Sequence, residues 1–138
     1  AAPYEQDGEF GGYGWPATPP PGSLELRMKG GAPPSTTIAL VATDANLTKA
    51  QANRLALMAD DGLARAIRPA HAPMDGDTVF AVSTRARPLH DPMADLTEIG
   101  AIAADCLARA IARSVFHATS PGNNYSGPPP YLALKSAR

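Results

Sequence analysis

Three hydroxyl residues in a row, Ser35-Thr36-Thr37, stand directly before a short apolar run, and further along two carboxylates, Asp75 and Asp77, flank Gly76 ahead of a second such run. A hydroxyl is a poor nucleophile at neutral pH unless a neighbouring base takes its proton. Two carboxylates close together favour holding one proton between them, which keeps a donor available. On spacing alone, however, Thr36-Thr37 also reads as a β-branched strand start and Asp75-Gly76 as an ordinary turn. His71, His90 and His117 show no ligand spacing with cysteine or carboxylates, so no metal site is expected. Nothing in the chain asks for a cofactor. Cys106 falls within an apolar helical stripe and reads as a small core residue. Arg65 and Arg68 could meet a substrate carboxylate, but solvated charges or ion pairs are the commoner use of such residues.

The elements that must position these groups lie between about 36 and 118. Thr37 to Thr43 is an apolar, β-branched run that predicts a strand buried on both faces, followed by a turn at Asp44-Ala45-Asn46. Thr48 precedes Gln51 by three residues, a capping-box spacing that opens a helix. Its apolar stripe runs Ala52, Leu55, Ala59, Leu63 and Ala66 to about Ile67, and Arg68-Pro69 closes it. After a loop from Ala70 to Gly76, Thr78 to Ser83 predicts the second strand. Asp95 and Glu98 then resemble a second capping box, and the helix beyond carries Ile99, Ile102, Ala103, Cys106, Ala110 and Ile111 on one side as far as about His117.

Residues 1–35 hold Gly11, Gly12, Gly14, the prolines 19 to 21, Gly30, Gly31, Pro33 and Pro34, and are expected to be irregular. Residues 119–138, with a second three-proline run at 128 to 130, form a similar tail. The order strand, helix, strand, helix makes an α/β (α+β) chain. Two strands rarely hold together as a sheet of their own, and roughly 80 structured residues bury only a marginal core. The segment is therefore expected to dock onto strands lying outside the 138 residues.

Composition narrows the function classes. Net charge is -1 with 18% charged residues, which is no footprint for nucleic acid or an anionic membrane. No apolar run is long enough to span a bilayer. One cysteine excludes an internal disulfide. The start carries no basic end or apolar stretch, so no signal peptide is expected and the cytoplasm is the expected compartment. Without an initiator Met, the chain is expected to be processed or a fragment.

Several blocks in order, TTI, ATDA, LTKAQA, DGLARAIRPAH, DGDTVFA and AADCLARAI, resemble the self-processing family of L-aminopeptidase/D-esterases. That family includes β-peptidyl aminopeptidases, pantetheine hydrolase and the Thr-nucleophile nylon-oligomer (6-aminohexanoate oligomer) endohydrolase, whose motifs stand nearest. The resemblance covers about residues 30 to 118, the small C-terminal subunit and the end of the large one, while DGEFGG would suit a large-subunit tail. It implies a four-layer αββα sandwich of N-terminal-nucleophile-hydrolase type, completed by a large subunit of the same precursor. It also implies a homo-oligomer of such heterodimers and a small peptide or amide substrate.

By that resemblance the precursor cuts itself at Ser35–Thr36, and Thr36 becomes an N-terminal nucleophile that forms an acyl-enzyme. Cutting creates the base as well, since an α-amine has a reference pKa near ~7.7–8.0. Asp75 and Asp77, in the matching DGD segment, would orient and polarise Thr36 much as a third group orients the base of a triad. The oxyanion-hole donor would be a Lys or Asn of the large subunit. Two positions depart from the family. Ser35 replaces the usual Asn or Gly before the nucleophile, and Asp60 stands where relatives often have His. Two alternatives stay open: an uncleaved, non-catalytic homologue serving as a structural subunit, and an acyltransferase of the related ornithine-acetyltransferase type.

Overall fold

The computed structural model describes residues 5–12, 36–120, 122, 130 and 131. Four elements follow one another: β1 (Ile38–Ala45), α1 (Lys49–Ala66), β2 (Thr78–Arg87) and α2 (Pro92–Phe116). The strands pair in parallel, from Ile38 opposite Thr78 to Thr43 opposite Ser83. Among the described residues they form a two-stranded sheet. A parallel pair needs a crossover, and α1 supplies it. The α/β order read from the sequence is the order observed.

β1 runs two residues past the expected Thr43 end, into the expected turn. The register slips after Thr43, so that Ala45 sits opposite Arg87. The hydroxyl of Ser83 donates to the Ala45 carbonyl at 2.5 Å and accepts from the Leu47 amide at 3.3 Å. Asn46 N donates to Arg87 O at 2.6 Å. These bonds carry the pairing past the irregularity and also lengthen β2 to Arg87, with Arg85 in the left-handed region at φ 61°.

The expectation of burial on both strand faces is corrected within this chain. One face, with Val41, Ala45 and Ala81, packs against Leu47, Ala52, Leu55 and Ile99. On the other, Ile38 is 73% exposed, Leu40 63% and Phe80 56%. The β-branched run is two-sided in composition but has one partner layer here.

α1 opens with the anticipated capping box: Gln51 N donates to Thr48 Oγ1 at 3.3 Å and Thr48 N to Gln51 Oε1 at 2.9 Å. Leu55, Ala59 and Leu63 are buried as expected. α2 starts at Pro92, three residues before Asp95, because Asp91 is the cap; its carboxylate accepts from Met93 N at 3.0 Å and Ala94 N at 3.2 Å. Pro92 then occupies the first turn, where its missing N–H costs nothing. Asp95 reaches back to the amides of His90 and Asp91 instead.

The buried face of α2 is also corrected. Gly100, Ala104, Leu107, Ala108 and Ala112 are buried, whereas Ile102 is 54% exposed and Cys106 is exposed. α1 takes the first set: Gly62 packs so closely that a Cβ there would lie 3.0 Å from Leu107 Cβ and 3.1 Å from Ala108 N. Arg65 pairs with Asp105 across the same contact. Ile99 and Ala103 of the predicted stripe do pack against the core, while Ile102, Cys106 and Ala110 line a groove of about 420 Å³ with Leu55 of α1 and Leu40, Val41, Ala42 and Thr43 of β1.

Residues 5–12 are irregular, as expected, yet docked. Glu5 Oε1 accepts from Phe10 N at 2.5 Å and Gly12 N at 2.9 Å. Glu9 pairs with Arg109, at 2.5 Å, and with Arg113 of α2. The two guanidinium groups, Arg109 foremost, hold the Glu9 carboxyl below the usual carboxylate range. Phe10 is 2% exposed, its ring 4.8 Å from that of Phe116. Among the described residues no helix is long and apolar enough to cross a membrane.

Candidate active site

Thr36 lies two residues before β1 and is exposed. Its neighbour Thr37 is fixed from both sides. Thr37 N donates to Asp77 Oδ1 at 2.9 Å, and Thr37 O accepts from Thr78 N at 2.9 Å. The parallel register that begins at Ile38 and Thr78 therefore also aligns the residues before each strand, bringing Thr36 against the DGD segment. A Cβ placed on Gly76 would lie 2.8 Å from Thr36 Oγ1. A side chain at 76 would make the hydroxyl turn aside from that position.

The two carboxylates have different surroundings. Asp77 is 7% exposed at its side chain, and its bond to the Thr37 amide offsets the cost of that burial. Asp75 Oδ2 accepts from Ala72 N at 3.0 Å, and Asp75 N donates to Ala72 O at 2.8 Å. That reciprocal pair closes the turn preceding Gly76. The structure thus brings Thr36, Gly76 and Asp77 together, with Asp77 bonded to the backbone beside Thr36, and Asp75 adjoins them in the same segment, bonded to Ala72. Ser35, the other side of the expected cut, lies outside the described residues.

His71 was not singled out by the sequence, but it sits at this site. Its Nε2 lies 3.4 Å from Asp60 Oδ2 on α1, and its Nδ1 lies 3.8 Å from Asp77 Oδ2. His71 holds a left-handed backbone, φ 58°, which is uncommon for a residue with a side chain. A histidine six residues ahead of Asp77 in one short loop was the available signal. Asp60 had been noted only for departing from a family pattern. Arg65 is engaged by Asp105 within the chain.

Taken together, these groups present a hydroxyl just before a strand, a carboxylate of low exposure on the adjoining amide, and an imidazole standing between that carboxylate and Asp60 of α1. Such an arrangement can hold a hydroxyl in one orientation for attack on a carbonyl. Among the described residues no group of three or more His, Cys, Asp or Glu side chains is arranged to hold a metal ion.

Comparisons with known proteins point to one family. The model for peptidase family S58 matches residues 9–125. An uncharacterized aminopeptidase of Mycobacterium tuberculosis is 48% identical over 96 residues, 62% of this chain and 28% of the relative. One of Mycobacterium leprae is 46% identical over 110 residues, covering 72% of this chain and 29% of its own length. A 6-aminohexanoate-oligomer endohydrolase of Paenarthrobacter ureafaciens is 38% identical over 50 residues, 36% of this chain and 14% of that enzyme. The chain spans less than a third of the length of these relatives.

Proposed function

The chain belongs to peptidase family S58, and on that premise we propose that it is the nucleophile-bearing part of an amide-bond hydrolase activated by cutting itself at Ser35–Thr36. The observation that carries the reading is the seat of the Thr36 hydroxyl, against Gly76 and one residue from the amide held by Asp77. A family name supports peptide or amide hydrolysis; that seat supports Thr36 as the residue that performs it.

In the uncut chain the Thr36 hydroxyl attacks the Ser35 carbonyl carbon, its proton passing to the departing Thr36 nitrogen. The peptide link becomes an ester, and water then hydrolyses the ester to leave a Ser35 carboxyl group and a free Thr36 amine. In turnover the same hydroxyl attacks a substrate amide, and its proton moves through the α-amine to the leaving nitrogen. The acyl-Thr36 ester is released by water. Substrates of this class are amino-terminal peptides, β- or ω-amino-acid amides and polyamide oligomers; the names of the relatives point to amino-terminal peptides and 6-aminohexanoate oligomers.

The remaining parts belong to a larger assembly. The exposed Ile38, Leu40, Phe80 and Val82 and the groove under α2 suit further strands and a second sheet from a large subunit of the same precursor. That subunit would also supply the oxyanion donors, in a homo-oligomer of heterodimers.

Intact-mass measurement of the purified full-length protein tests the reading. Two species are expected, the smaller beginning at Thr36, and Thr36→Ala should leave one species with turnover of an amino-acid p-nitroanilide reduced at least ~10³-fold. A wild-type protein that stays whole would instead support a structural, uncut homologue. Transfer of the acyl group to an added amine in preference to water would point to an acyltransferase.

A further inference from the structure

The nucleophile's seat depends on Asp77, and Asp77 has a second neighbour that the reaction just described does not use. His71 stands between Asp77 and Asp60, its two ring nitrogens turned toward two different carboxylates, at 3.8 Å and 3.4 Å. The three groups come from three places: Asp60 from α1, His71 from the loop after it, Asp77 from the entry to β2. One oxygen of Asp77 is committed to Thr37 N, and the other faces His71. A carboxylate this deeply buried has few ways to fix its rotation, and the imidazole is the side chain on its free oxygen.

We propose that His71 is a positioning residue for the Thr36 reaction: braced by Asp60, it fixes the rotation of Asp77, and Asp77 in turn fixes the Thr37 amide and the residue before it. The inference rests on Thr36 being the nucleophile. It does not make His71 a proton carrier, since no atom of Thr36 is among its partners. His71 also holds a left-handed backbone, a conformation that persists where its surroundings over-determine it.

The test uses the full-length protein and reads the rate at which the Thr36-terminated fragment appears by mass spectrometry, a readout that needs no substrate. His71→Ala is expected to slow the cut by about 10–100-fold, matching the loss of a contact to a charged group. His71→Asn keeps a donor where Nδ1 stood and tolerates the left-handed backbone, so it should recover to within about threefold of wild type. Asp77→Asn should slow the cut by itself, and adding His71→Ala to it should change little more, because the two act in series.

A His71→Ala protein that cuts at the wild-type rate overturns the proposal while leaving Thr36 as nucleophile. Equal loss in the Asn and Ala variants, or multiplying losses with Asp77→Asn, assigns His71 a merely structural part and overturns it too. Wild-type protein that never cuts removes the Thr36 reading itself. If His71→Ala fails to fold, the ring nitrogens of 15N-histidine-labelled wild type and Asp77→Asn decide: unchanged His71 signals would sink the link.

Discussion

At the scale of single residues, the site is defined by a missing side chain. Gly76 is exposed and needs no special backbone angle; what it supplies is room for Thr36 Oγ1. Gly76→Ala is therefore expected to displace the hydroxyl and slow self-cutting by at least about tenfold. Its stability should shift by no more than ~0.5 kcal/mol, as for other surface substitutions. Comparing the cutting rate with the melting temperature checks this, since a large fall in both would mean that the glycine serves the fold. Thr36, Asp75 and Asp77 stood out as candidates because strand starts and a turn pair are visible in one dimension. The bond from Thr37 N to Asp77 was not legible, because it depends on the parallel register. His71 was hidden for the same reason, as its partners come from a helix and a strand on either side of its loop.

Among the elements, strands and helices were read correctly in kind and order, and errors fell at the ends and in which faces are covered. Caps made by a residue's own neighbours, such as Thr48 with Gln51, are visible in sequence. Pairing that resumes past an irregularity, as at Ala45 and Arg87, is not, because it depends on a side chain 38 positions away, Ser83. The face of α2 was misjudged because two apolar stripes adjoin, and small residues rather than large ones meet α1. Gly62 on α1 and Gly100 on α2, the latter against Met58, let the helices approach. Gly62→Ala would improve helix propensity by about 1 kcal/mol, but the new methyl group meets the α2 backbone as well as Leu107, and overpacking costs about 1–3 kcal/mol. A net loss of up to about 2 kcal/mol is expected in thermal unfolding; a protein stabilised by the change would show that the helices can separate freely.

For the molecule as a whole, the docking of residues 5–12 onto the end of α2 was invisible in a stretch dominated by glycine. Its electrostatic part has a definite pH sense. The carboxyl of Glu9 is held below its ordinary value by Arg109 and Arg113, so its contribution is fully present above the ordinary glutamate pKa, ~4.3. It is lost as pH falls below that value through the folded one. The nuclear Overhauser contact between the Phe10 and Phe116 rings should weaken over that acidic range, and Glu9→Gln should remove the pH dependence; an unchanged contact would assign the docking to the rings. Another feature bears on how the segment can be handled. Each described strand has a single ladder partner, and apolar side chains crowd the uncovered face. Unsatisfied peptide groups beside greasy surface form an adhesive, so a truncated version expressed by itself invites clumping and filament growth. Under the proposed function, separation from the large subunit would injure this segment more than most point changes within it.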